Sequence, residues 1–169
     1  VGEFLTLTAD EALQVKYSEG TANTLQEVLQ KAGIEDPEVI AVEPTLAENI
    51  ARIVTNPIVV PILLSIASLG LVLELYSPGF GVPGTMALSA FGLFFFGHSI
   101  AGFAGYETII MFIIGLAMLL LEFFVPGGIV GIIGGALIII SLLFAGASVT
   151  HMAYSIIIAM FIAVIGMVI

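Results

Sequence analysis

Beyond Arg52 the chain carries only three formal charges, Glu74, Glu107 and Glu122, and neither Lys nor Arg. That stretch reads as five strongly apolar runs separated by Gly- and Pro-rich breaks. In lipid, each backbone N–H and C=O must find a partner within the protein, so such a sequence folds as membrane helices. The expected fold class is a mainly α membrane protein. About five transmembrane helices are expected, near 57–76, 82–98, 106–124, 129–145 and 152–169. At 1.5 Å per residue these runs span roughly 25–30 Å, enough for a bilayer with little tilt. The second and fourth are short, which leaves a re-entrant hairpin at either Pro-Gly open as an alternative.

Charge is concentrated elsewhere. Residues 1–52 hold ten of the 13 acids and all three basic residues, Lys16, Lys31 and Arg52. The acidic balance excludes nucleic acid as a partner, because there is no basic patch to neutralise phosphates. The absence of Cys excludes disulfides and thiolate metal sites. The first residues lack the basic start and apolar stretch of a signal peptide. With no initiator Met, and with "AMFIAVIGMVI" stopping inside an apolar run, the chain is expected to be a piece of a longer one, missing sequence at both ends.

Residues 1–43 look like the tail of a soluble α/β domain. "TADE" (Thr8–Glu11), "TLQE" (Thr24–Glu27) and "TLAE" (Thr45–Glu48) each have the spacing of a capping box. Gly33 is placed to end the second of these helices, and "EVIAVE" (Glu38–Glu43) alternates as a short strand does. Residues 44–56 form an amphipathic connector whose helix lies on or leads into the membrane. Residues 57–169 form the membrane domain. Asn56 is a candidate cap for the first span, with Pro57 in its first turn.

"ELYSPGFGVPG" from Glu74 and "EFFVPGGIVG" from Glu122 form an internal repeat. Pro78-Gly79 aligns with Pro126-Gly127, and with one residue deleted Gly84 aligns with Gly131. The architecture expected is therefore two Pro-Gly hairpin repeats plus one helix. Both copies run the same way through the membrane, unlike the inverted repeats of many transporters. Counting passes puts both Pro-Gly turns and the C-terminus on one side. His98, Glu107 and His151 fall on the other, with the N-terminal segment.

A glutamate at a helix C-terminus opposes the macrodipole. The first amides of the returning helix, around Gly79–Gly81 and Gly127–Val130, offer it a use, since they lack intrahelical partners. Glu74 and Glu122 are therefore read as hairpin staples, with Pro78, Gly79, Gly81, Gly84, Pro126 and Gly127 shaping the bends. Protonation, snorkelling to the headgroups, or an ion or proton site are the alternatives.

Small residues mark close helix contacts. Gly127, Gly131 and Gly135, flanked by Ile132 and Ile139, form a stripe read either as packing within the chain or as a partner-docking face. Thr85, Ser89 and Gly92 form a weaker one. His98, Glu107 and His151 match a metal set by type but have no supporting local spacing, so no metal or cofactor is expected. No nucleophile elbow, phosphate loop or other catalytic constellation is visible. Two rivals remain: a small transporter or channel built on the duplicated hairpin, whose midplane offers mainly Ser65, Ser68, Ser89 and Gly115, and a membrane protease, which lacks a nucleophile here.

"LELYSPGFGVPG", "GHSIAGFAG" and "LEFFVPGG", preceded by "GEFLTLTADEALQVKYSEGTANTLQEVL", resemble the long, membrane-bound form of the nodulation-efficiency-D (NfeD) family across nearly the whole chain. The resemblance implies that residues 1–43 end a ClpP/crotonase-like serine protease domain whose Ser–Lys dyad lies upstream of Val1. Lys16 does not match the catalytic lysine and is expected at the surface, so no catalytic residue lies in this chain. The resemblance further implies a cell-membrane location, an extracytoplasmic N-terminal segment and inward Pro-Gly turns. It also implies docking, as part of a larger assembly, on a flotillin- or stomatin-type scaffold. Pro78–Gly84 and the Gly127 stripe are the expected contact residues.

Overall fold

The computed structural model describes residues 6–34, 37, 38, 40–76, 79 and 81–168. The chain is mainly helical: α1 (Ala9–Gln14), α2 (Leu25–Lys31), α3 (Leu46–Val54), α4 (Val59–Tyr76), α5 (Val82–Ile100), α6 (Tyr106–Leu121), α7 (Ile129–Phe144) and α8 (Val149–Val168). It divides into two compact units, 1–43 and 44–169.

In the first unit, α1 starts in a full capping box. Thr8 accepts the Glu11 amide, and the Glu11 carboxylate accepts the Thr8 amide at 2.8 Å. Its C-terminal turn closes through Lys16, an exposed residue at φ 59, with the Tyr17 amide donating to the Ala12 carbonyl. That is the left-handed helix stop usually left to glycine, and Gly33 (φ 69) performs it for α2. The box expected at Thr24 is one-sided. Thr24 accepts the Glu27 amide, but the Glu27 carboxylate takes the Asn23 amide at 3.0 Å and the Lys31 ammonium at 2.8 Å. The Asn23 amide, one residue before the cap, takes the oxygen that serves the cap amide in the other two boxes, and Lys31 holds the other. The strand expected over 38–43 is absent among the described residues, Val39 lying outside them. An extended segment without a ladder partner does not become a strand.

The second unit is a bundle built from two helical hairpins and a final helix. α4 packs on α5, α6 on α7, and α8 on α4 and more lightly on α7. α3, which starts in the full capping box of Thr45 and Glu48, packs on α5 and α4. α4 begins at Val59, two residues later than expected, after an opening turn that Asn56 caps. Its side chain accepts the Ile58 amide at 2.9 Å and its carbonyl accepts those of Val59 and Val60. α6 stops at Leu121, three residues short of the expected end, and Glu122 is its C-cap. α8 starts at Val149, so His151 lies inside its first turn.

α4 and α8 are each long and apolar enough to cross a membrane; α6 and α7 are apolar helices of 16 residues each. Within each hairpin the helices meet at small residues. Between α4 and α5, a Cβ on Gly70 would sit 2.6 Å from the Pro83 carbonyl oxygen. Between α6 and α7, one on Gly134 would sit 2.7 Å from the Gly115 oxygen. Contacts this close let backbones approach and gain dispersion energy without help from water. Ser141 Oγ adds a buried hydrogen bond across the second hairpin, donating to the Thr108 carbonyl at 2.7 Å.

An aromatic seam joins the hairpins. Phe112 of α6 lies 4.6 Å from Phe91 and 4.9 Å from Phe95 of α5, ring centre to ring centre, in tilted pairs. Phe94, fully buried, stands edge-on to Phe95 and tilted over His98. Such pairs contribute about 0.5–1.5 kcal/mol each beyond their area. Aromatic packing therefore joins α5 to α6 at this level, while nearer the bends an apolar groove of about 450 Å³, lined by Leu71, Leu75, Leu120 and Phe123, lies between the hairpins.

Candidate functional site

The two bends are the repeated feature that local helix rules do not explain. Glu74 lies in the last turn of α4, and Glu122 caps α6. Neither carboxylate is left to face the negative helix end alone. Glu74 accepts the amides of Gly79 (3.2 Å), Gly81 (3.1 Å) and Gly84 (2.8 Å). Glu122 accepts those of Gly127 (2.9 Å), Gly128 (2.5 Å) and Gly131 (2.8 Å).

The positions correspond. Gly81 and Gly128 are the N-caps of α5 and α7, and Gly84 and Gly131 are the third residues of those helices. Each acid thus caps the following helix at its cap and third amides, a task usually given to a side chain at the cap itself. Neither glycine N-cap has a side chain to do it. The negative charge also sits at the positive end of the returning helix, which offsets its placement behind the previous one.

Glycine leaves the carboxylates room to reach these amides. A Cβ on Gly84 would stand 2.8 Å from the Glu74 carboxylate, and one on Gly131 3.1 Å from Glu122 Cγ. Gly128 is left-handed at φ 78, which turns the chain into α7. Pro126 borders a groove with Glu122 and Phe123. Pro78 lies outside the described residues.

The structure distributes the Gly127 stripe over different surroundings. Gly131 faces Glu122, whereas a Cβ on Gly127 or Gly135 would meet open space. Ile132 and Ile139 are 73% and 45% exposed. The close contact of the second hairpin is made by Gly134 and Gly115 instead. Thr85 donates its hydroxyl to the Val82 carbonyl, and Gly92 likewise opens onto free space. Spacing alone marks faces of a helix; it does not say which one turns to a neighbour.

The polar groups at the opposite end are scattered. His98 is buried, with Nδ1 at 2.8 Å from the Phe94 carbonyl oxygen. It shares a cavity of about 260 Å³ with His151, Thr55, Ser148 and Ser155. Glu107 is not on that wall; it lies in the first turn of α6, its carboxylate folded back toward Gly105. Among the described residues no group of three or more His, Asp or Glu is placed to hold a metal ion. Ser65 and Ser68 donate their hydroxyls to Ile62 and Leu64 of their own helix.

Comparison with known proteins sets this arrangement in a family. The profile of the "NfeD integral membrane domain" matches residues 58–169. The chain is 52% identical over 158 residues to "Membrane protein NfeD1b" of Bacillus subtilis (strain 168), an alignment covering 94% of this chain. The chain spans 36% of that relative's length. No solved structure matches it. With the profile matched over more than half of its length, and with both glutamate-sealed bends inside the matched region, this chain belongs to the NfeD integral membrane domain family.

Proposed function

We propose that this chain is the membrane anchor and scaffold-docking domain of an NfeD-like membrane-bound serine protease. In this reading α4–α8 cross the bilayer as two sealed hairpins plus one helix. Residues 1–43 end the extracytoplasmic protease domain, and the bends face the cytoplasm. The partner is a flotillin- or stomatin-type membrane scaffold, and the exposed side of α7 is the docking face.

One observation carries the anchoring role. The acids at the bends are engaged by amides of their own hairpins, and aromatic rings join α5 to α6. A conduit would need ionisable or polar groups turned toward a shared path, yet Ser65 and Ser68 are satisfied within their own helix. The row of exposed Ile132 and Ile139 with half-buried Gly135 between them supports docking, because a smooth face with a central glycine admits another helix closely.

The test is co-purification of the full-length protein with its scaffold in mild detergent. Gly135→Leu should reduce recovery of the scaffold while leaving thermal stability unchanged. A lone monomer in that detergent overturns docking. Ion flux through liposomes holding the purified domain overturns the anchoring reading in favour of conduction. The chain has no cysteine, so single cysteines at Ser18 and Gly127 report sidedness directly: an impermeant thiol reagent applied to intact cells should label only the first.

A further inference from the structure

We infer that α3 is an interfacial helix, seated with Leu46 and Ile53 at the boundary between headgroups and acyl chains. The argument starts from its sequence, LAENIARIV, which is strongly one-sided. At 100° per residue, Ala47, Ile50, Ala51 and Val54 share one side. Ala51 and Val54 are buried and Ala47 and Ile50 half-buried, and a Cβ on Gly97 of α5 would collide with Val54. The bundle therefore covers that side.

The apolar arc does not stop there. Leu46 and Ile53, seven residues apart and so nearly in line, extend it past the edge of the bundle contact. They are 77% and 62% exposed. Beyond them come Asn49, Arg52 and Glu48, which complete the polar side. A helix packed only on protein needs an arc as wide as its contact; this one is wider, on one flank.

Lipid is the occupant that the surroundings specify. The chain belongs to an integral membrane family. The uncovered flank leads at the α3–α4 corner into Ile58, 74% exposed, and then into Ile62, Ile66 and Leu73 along the outside of α4. α4 is one of the two helices long and apolar enough to cross the bilayer, so this row faces acyl chains. Arg52, exposed in the last turn of α3, is the only cation among residues 44–169. That is where a phosphate-level arginine belongs on an interfacial helix. The inference rests on family membership and not on the scaffold reading.

The chain contains no tryptophan, so Ile53→Trp and, separately, Leu46→Trp each introduce a single indole, excited at the red edge where the four tyrosines do not absorb. Asn49→Trp serves as the polar-side control. The full chain is reconstituted in phosphatidylcholine vesicles whose acyl chains carry bromine either near the carbonyls or near the methyl ends. The expected result is blue-shifted emission from the Ile53→Trp and Leu46→Trp variants and its loss to shallow bromines, with deep bromines less effective. The control stays red-shifted and answers to aqueous iodide. If the two flank variants are quenched by iodide and not by bromine, the flank faces water and the inference fails. If neither quencher reaches their indoles, protein covers the flank and the inference fails equally.

Discussion

Glu74 Oε2 lies 2.8 Å from the amide nitrogen of Gly84, ten residues further on and in the next helix. Glu122 and Gly131 repeat this at the same distance. The bond ties the end of one helix to the start of the next. The acid matters to the bend through the amides it holds, so its removal exposes several backbone donors at once.

Glu74→Ala and Glu122→Ala should each lower the Tm of the domain in mild detergent by several degrees, read by circular dichroism. The Gln variants should retain part of the loss, since a neutral amide oxygen accepts more weakly than a carboxylate. The two alanine effects should add, because the bends share no partner among the bonds described. An unchanged Tm in both alanine variants would show that the bends hold without their acids.

Gly134→Ala should destabilise the second hairpin by about 1–3 kcal/mol, the usual cost of overpacking. The added Cβ would meet the Gly115 oxygen at 2.7 Å and the Leu119 nitrogen at 2.8 Å, both backbone atoms that cannot turn aside. Gly135→Ala, one residue on, meets nothing within 4 Å and should be tolerated. Equal stability of the two variants in a detergent unfolding titration would contradict the contact.

Ser141→Ala removes the buried hydrogen bond to the Thr108 carbonyl. Interhelical bonds of this kind in membrane proteins average about 0.6 kcal/mol and reach about 1.7. A loss within that range is expected from the same titration, while Ser68→Ala, whose hydroxyl serves its own helix, should change less.

The Glu48 carboxyl is held below its ordinary value of 4.5, first by the Thr45 amide and then by the Thr45 hydroxyl. Because the folded value is the lower one, the cap stabilises α3 above the ordinary value. That contribution is lost as pH falls through the folded value. Carboxyl-carbon NMR should show Glu48 titrating below a free glutamate. Thr45→Ala, which removes the hydroxyl donor, should raise it part of the way back.

These expectations divide by what a sequence carries locally. Apolar runs broken by Pro and Gly mark helices because lipid leaves the backbone no other partner, and α4–α8 lie on those runs within a few residues. The repeated Glu before Pro-Gly could be seen by alignment. Which amides each oxygen takes depends on the path of the bend, which local sequence does not carry. The tight glycines were less accessible. Gly115 and Gly134 form no GxxxG pair within one helix, and their meeting depends on how α6 and α7 are rotated. The expectation of a strand near Ile40 rested on alternation, a pattern that needs a second strand before it acquires structure.

Each carboxylate takes amides of the loop in which it was synthesised, three in either bend among the bonds described. Such a unit can leave the translocon already satisfied, before the rest of the chain has been made. It can also be copied in the gene without redesign of its surroundings. The tandem arrangement seen here is what that modularity permits.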